Sequence, residues 1–152
     1  KVGRIAKAFG MNINYFSVKN YKKTQFLKFL SSLDYLSVHC PLNEKTKDLI
    51  TIKELKIMKK NMILINTARG GIVNENDLTK ALKQKIIAGA GIDVTTSEPP
   101  KKSHAYYSIL NEANFIWTPH TAWASNETLQ EAINQLIKNI NSFYKGRKRN
   151  IV

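Results

Sequence analysis

Met62-Ile63-Leu64-Ile65-Asn66-Thr67-Ala68-Arg69-Gly70-Gly71 is an apolar run that ends in a small polar pair, a lone arginine and two glycines. The run is too short and too branched for a helix, and Asn61 to Asn66 reads as a buried parallel strand. Ligands of parallel sheets collect at the carboxyl ends of the strands, so the arginine stands where such a sheet binds. The glycines let backbone approach a ligand closely. The choice of arginine is itself informative. The chain is lysine-dominated, and Arg4, Arg69, Arg147 and Arg149 are its only arginines. A planar two-pronged donor suits a carboxylate or carbonyl better than an ammonium does. A solvated loop arginine is the alternative from this window alone.

Outward from this strand, strand and helix alternate. Upstream, Lys1 to Phe9 reads as a helix with Val2, Ile5, Ala6 and Phe9 on one stripe, stopped by Gly10. Asn12 to Phe16 is a short strand, Thr24 to Ser32 an amphipathic helix, and Tyr35 to His39 a strand closed by Cys40-Pro41. Thr51 and Glu54 form a capping box at the start of a helix to Met58. Downstream, Asn74 caps a helix through Lys83, with Asp77 complementing its dipole. Ile86 to Val94 is a strand whose Gly89 and Gly91 ask for something packed close to the backbone. Phe115 to Thr118 is the last strand. A long helix follows from about Ser125 to Tyr144, with Leu129, Ile133, Leu136, Ile137, Ile140 and Phe143 on the face expected to be buried. The alternation predicts an α/β fold, a doubly wound parallel sheet with helices on both faces. Thr95 to Ala113 is the longest irregular stretch, and such loops are often functional.

With 152 residues, 43% of them hydrophobic, the chain can bury one ordinary core. It begins at Lys1 inside a helical pattern, so residues 1–152 are expected to be part of a longer polypeptide. No apolar run is long enough to span a membrane and no signal peptide is visible. The single Cys40 rules out an internal disulfide framework and fits a reducing, cytoplasmic setting. Cysteine and histidine show no zinc spacing, so no metal is expected. The net charge of +13 could signal nucleic acid or an anionic surface. Yet the lysines are spread in pairs such as Lys22-Lys23, Lys59-Lys60 and Lys101-Lys102, and only Lys145 to Arg149 clusters. No recognisable nucleic-acid motif accompanies them, and no specific nucleic-acid partner is expected. A basic field would still attract a phosphate-bearing cofactor and an acid substrate.

Three polar residues stand at or just after strand ends. Arg69 follows one, Glu98 follows Gly91-Ile92-Asp93-Val94, and His120 follows Trp117-Thr118-Pro119. In a parallel sheet these ends open on one edge, so arginine, carboxylate and imidazole can converge on one crevice. A histidine bonded to a carboxylate becomes more basic and keeps one orientation. It can then exchange a proton with a carbonyl or alcohol oxygen near neutral pH. The arginine can hold a substrate carboxylate and polarise the adjacent carbonyl. This is equipment for hydride transfer on a 2-oxo or 2-hydroxy acid. Taken singly, each residue also has a plain structural explanation as a turn, cap or surface group. His104, inside the loop, and His39, beside a strand end, lack this context.

Five stretches recur in the order and spacing of a known family: Ala8-Phe9-Gly10-Met11, Val38-His39-Cys40-Pro41-Leu42-Asn43-Glu44-Lys45-Thr46, Ile65 to Gly71, Ala90-Gly91-Ile92-Asp93-Val94 with Glu98-Pro99, and Thr118-Pro119-His120. Together they cover nearly the whole chain. The set resembles the NAD(P)-binding domain of the D-isomer-specific 2-hydroxyacid dehydrogenases, particularly the glycerate (hydroxypyruvate) dehydrogenase-like branch. The resemblance implies a Rossmann-like cofactor domain and NAD or NADP as cofactor. It implies Arg69 as substrate anchor, His120 as general acid/base and Glu98 as the group that orients it. It further implies cofactor contacts at Cys40, Pro41, Thr46, Thr67, Ala68, Asp93, Ala122 and Trp123, a small 2-hydroxy or 2-oxo acid substrate, and a homodimer.

Two departures stand out. The family's Gly-x-Gly-x-x-Gly turn is absent, and counting back from Phe9-Gly10-Met11 places it before Lys1. The first strand and the pyrophosphate turn are therefore expected upstream, as is the separate substrate domain. The strand Asn12 to Phe16 would then lose its neighbour. The acidic residue that ends the second strand in NAD-using members appears here as Ser17, with Lys19 nearby, which removes the repulsion against a 2′-phosphate. Rival readings are a dinucleotide-dependent assembly module of the C-terminal-binding-protein corepressor type, whose histidine stretch looks like His120-Thr121-Ala122-Trp123, an inactive truncated dehydrogenase, and a basic nucleic-acid binder.

Overall fold

The computed structural model describes residues 1–19 and 21–151. In chain order the elements are α1 (Val2–Ala8), α2 (Lys23–Ser32), β1 (Tyr35–Val38), α3 (Ile52–Leu55), β2 (Ile63–Asn66), α4 (Glu75–Lys83), β3 (Gly89–Ile92), a 3-10 turn (Ala105–Ile109), β4 (Phe115–Trp117) and α5 (Asn126–Tyr144). The four strands form one parallel sheet in the order β1-β2-β3-β4. Every strand points the same way, so all four carboxyl ends open on a single edge.

The register divides the sheet into two unlike faces. Leu36, Leu64, Ala90 and Phe115 align across it, as do Val38, Asn66, Ile92 and Trp117. Pleat alternation puts both rows on the same face. That face carries the core, with Leu64 fully buried and Leu30, Leu55, Ile72, Leu78 and Tyr106 packed into the same cluster. The helix α4 lies against both α3 and the 3-10 turn. The opposite face presents Tyr35, Ser37, Ile65, Gly91 and Ile116, and Tyr35 and Ile116 are exposed. The cover is therefore heavy on one side and thin on the other.

Local sequence signals explain the element starts. Thr51 and Glu54 make the expected capping box. Buried Glu54 also takes a hydrogen bond from Lys23 Nζ at 2.6 Å, which ties α2 to α3. Its burial works to raise the carboxyl, but the bonds from Lys23 and Thr51 outweigh this and hold it below the usual range. Asn74 caps α4 through Asp77 N–H. Asp77 in turn accepts from Ile52 N–H at 2.9 Å, so it serves the neighbouring helix as well as its own.

Four expectations need correction. Asn12 to Phe16 forms no ladder. It is held instead by Phe16, whose ring packs on Tyr21, Phe26 and Phe29, because no strand among the described residues runs alongside to take its backbone bonds. The helix from Thr51 ends at Leu55 and continues as turns, with Ile57 and Met58 donating to carbonyls three residues back. A Cβ on Gly89 would lie 2.9 Å from the Asn114 carbonyl oxygen, but one on Gly91 would meet nothing within 4 Å. Close packing is required only at the first. Finally, the apolar stripe of α5 is not buried: Leu136 is 58% exposed and Phe143 82%. Its pattern marks a face suited to burial, and none of the described residues covers it.

Candidate active site

The site grows from the carboxyl end of β2. Asn66 ends the strand with its side chain turned inward and buried. Its Oδ1 accepts from Ala68 N–H at 3.1 Å and its Nδ2 donates to Arg69 O at 3.0 Å. This local ring of bonds fixes the turn and sends the Arg69 side chain outward. The guanidinium donates to Ala68 O at 2.7 Å, and among the described residues no carboxylate forms an ion pair with it. The rest of its fork can take an external anion.

Gly70 explains how a second loop comes so near. A Cβ there would stand 2.0 Å from the carbonyl carbon of Thr95, so the two backbones touch. That contact brings the loop after β3 beside Arg69. Within it, Glu98 Oε1 accepts from Thr95 N–H at 3.0 Å, and Glu98 Oε2 lies 2.6 Å from His120 Nδ1. The hydrogen bond from His120, and then that from Thr95 N–H, hold the Glu98 carboxyl below the usual range. It is a charged acceptor near neutral pH, so Nδ1 of His120 carries a hydrogen toward it and Nε2 faces away.

The third loop follows β4. His120 adopts φ of +55°, in the left-handed region that a non-glycine residue occupies only when held there. The holding group is Asp93. Its backbone carbonyl accepts from His120 N–H at 2.9 Å. Its carboxylate accepts from the Thr118 hydroxyl and, at 2.9 Å each, from Thr121 and Ala122 N–H. Burial works to raise the Asp93 carboxyl, but these three donors outweigh it and keep it low. Trp123 closes the turn with Nε1–H donating to His120 O at 2.8 Å. Arg69, Glu98 and His120 then line one open hollow of about 240 Å³, together with Leu42, Gly70, Val94, Thr95 and Thr96.

An arginine fork, an ionised carboxylate and an imidazole set by it can bind a carboxylate-bearing substrate and exchange one proton with it. Burial pushes the Cys40 thiol up, away from the reactive thiolate. Among the described residues no three His, Cys, Asp or Glu side chains converge as a metal site.

The family model for the NAD-binding domain of D-isomer-specific 2-hydroxyacid dehydrogenases matches residues 1–122. The chain belongs to that family. Among the relatives of this dehydrogenase domain, the glycerate dehydrogenase of Methylorubrum extorquens is 42% identical over 99% of the chain and 48% of its own length. The glyoxylate reductase of Thermococcus litoralis is 39% identical over 93% of the chain and 44% of its own. A D-isomer-specific 2-hydroxyacid dehydrogenase of Lactobacillus delbrueckii ssp. bulgaricus, solved in its NAD-complexed form, superposes with a TM-score of 0.88 at 29% identity. That superposition covers 99% of this chain and 52% of the other. The chain thus spans about half the length of the relatives it matches.

The dehydrogenase domain treats its expected cofactor residues unevenly. Pro41, Thr67, Ala122 and Trp123 are exposed, Cys40 and Ala68 half-buried. They lie just past the ends of β1, β2 and β4, on the edge that carries the hollow. Thr46 is buried, with its hydroxyl donating to Pro41 O at 2.6 Å and accepting from Asn43 N–H at 2.8 Å. It shapes the loop from within. Asp93 is also buried, and its carboxylate serves the His120 turn. Ser17 is exposed near Lys19, outside the hollow. The exposed Trp123 face and the open backbone at the strand ends fit a planar nicotinamide. A glycine turn for the pyrophosphate has no counterpart among these residues.

His39 Nε2 lies 2.8 Å from Ser37 Oγ, and His39 stands outside the hollow. Asn66, Glu75 and His104 are not among the site residues expected from the sequence. Asn66 was readable in the strand-end motif, because a polar side chain closing an apolar strand commonly bonds its own turn. Glu75 and His104 are separated by 29 residues and give no linear signal.

Proposed function

We propose that the polypeptide carrying this chain interconverts a small 2-oxo acid and its D-2-hydroxy acid, with glycerate and hydroxypyruvate as the leading pair. The contact that carries this reading is His120 Nδ1 on Glu98 Oε2 at 2.6 Å, beside an arginine with no carboxylate partner among the described residues. Arg69 binds the substrate carboxylate and one prong polarises the 2-oxo group. Glu98 fixes the imidazole so that Nε2 meets the carbonyl oxygen. In the reductive direction His120 gives its Nε2 proton to that oxygen, and in the oxidative direction it takes the proton back. A nicotinamide held at this edge would supply or accept the hydride. Asp93 acts by holding the turn that aims His120, since its carboxylate is taken up by Thr118, Thr121 and Ala122.

Pro41, Thr67, Ala68, Ala122 and Trp123 would flank the cofactor, with Cys40 beside them. Ser17 leaves room for a 2′-phosphate, so NADP is as acceptable as NAD. A further substrate-binding domain and the residues of the glycine turn would complete the cleft. A homodimer and a cytoplasmic setting accompany this reading. The latter is supported by the single cysteine, and no helix among the described residues is long and apolar enough to cross a membrane.

The deciding experiment follows reduced-dinucleotide absorbance with hydroxypyruvate or glyoxylate on the complete polypeptide, using NADH and NADPH in parallel. Substrate-dependent oxidation is expected. Tight dinucleotide binding without turnover of either acid would instead favour the assembly module suggested by His120-Thr121-Ala122-Trp123.

A further inference from the structure

A second histidine–carboxylate pair stands behind the first. His104 Nε2 lies 2.7 Å from Glu75 Oε2, and both side chains are largely withdrawn from solvent, at 8% and 12% exposure. Tyr106 N–H donates to His104 Nδ1 at 3.3 Å, so the ring hydrogen sits on Nε2 and points at the carboxylate. The ring stacks on Trp117 and meets Tyr106 edge-on, which fixes its plane. Glu75 has two further bonds. Its Oε1 accepts from Thr96 N–H at 2.7 Å, and its Oε2 from the Thr96 hydroxyl at 2.8 Å.

The placement of these bonds is specific. Glu75 is the first residue of α4, on the segment that descends from Arg69. Thr96 and His104 bracket Glu98 on the loop after β3. One carboxylate therefore grips that loop on both sides of Glu98. Thr95 and Thr96 present consecutive amides, the first to Glu98 and the second to Glu75. The two amides belong to adjacent peptides joined at Thr95 Cα, so Glu75 holds the peptide next to the one that binds Glu98. A carboxylate placed only to complement a helix start needs neither a buried imidazole nor a bond to a distant loop.

We infer that Glu75 and His104 form a clamp that sets the position of Glu98 against His120, acting as positioning residues for proton transfer. This rests on the Glu98–His120 site proposed above. Neither residue lines the hollow, so both work through the loop.

The test uses the complete polypeptide with 13C-labelled glutamate and follows the Glu98 carboxyl by NMR titration alongside steady-state turnover. Glu75→Gln keeps the shape but cannot accept all three bonds, and His104→Gln removes the imidazole donor. Asp77→Asn is the control, since Asp77 lies at the same helix start but holds Ile52. Glu75→Gln and His104→Gln should each raise the Glu98 midpoint by about half a pH unit or more. They should also lower kcat about tenfold with KM within about twofold. Asp77→Asn should leave both readouts in place even if it lowers the melting temperature. An unmoved Glu98 midpoint in the folded variants overturns the clamp, as does an equal movement in Asp77→Asn. If neither variant folds, Thr96→Val at an exposed position removes one bond to Glu75, and an unmoved midpoint there overturns it too. Wild-type protein that turns over no 2-oxo acid would defeat the functional reading, and the midpoint would still decide the clamp.

Discussion

Arg69 is the residue to which the proposed function assigns the substrate carboxylate, and its neighbours show why it is presented as it is. Asn66 spends both side-chain atoms on the turn, so the guanidinium leaves the sheet edge in a set direction. Arg69→Ala in the complete polypeptide should lower kcat/KM for hydroxypyruvate by about 10²-fold or more, because orientation and carbonyl polarisation are lost together. Arg69→Lys should restore only part, since a point charge cannot reproduce the fork. Steady-state kinetics checks both, and near-normal turnover of the alanine variant would remove Arg69 from the mechanism. The residue type and its place after a strand were legible in the sequence. That no carboxylate among the described residues pairs with it was not, because ion pairing depends on residues far away in the chain.

Between elements, the loops after β2, β3 and β4 hold one another. Backbone contact at Gly70 joins the first two, the Glu98–His120 bond joins the second and third, and Asp93 locks the third from below. Glycine substitutions separate the required contact from the merely permitted one. Gly70→Ala places its Cβ against the Thr95 backbone and should destabilise the fold by about 1–3 kcal/mol. Gly91→Ala meets open space and should be neutral or stabilise by about 0.5 kcal/mol. Urea midpoints of the two variants test this, and an equal loss at both would deny the contact at Gly70. The sequence marked Gly70, Gly89 and Gly91 as places of close approach without ranking them. Rank depends on what packs opposite, which a linear pattern does not contain.

At the scale of the whole molecule, one face of the sheet holds the core and the other is thinly covered. Leu64→Ala should cost about 2–5 kcal/mol in the 152-residue chain, while Leu136→Ala on exposed α5 should change its stability by less than about 0.5 kcal/mol. Denaturant unfolding of both checks the asymmetry, and a comparable loss at Leu136 would mean that α5 packs onto this chain in solution. Side-chain spacing by itself determined the strand–helix alternation and the parallel sheet, and the family was legible as a resemblance of motifs contiguous in the chain. Spacing also determined that α5 has an apolar face, but a 3.6-residue pattern names no partner. Only the tertiary structure decided that none of the described residues covers this face, and that Thr46 and Asp93 turn inward. It alone brought Glu75 to His104 across 29 residues. Burial and pairing are properties of what surrounds a residue, and at these positions the surroundings come from segments distant in sequence.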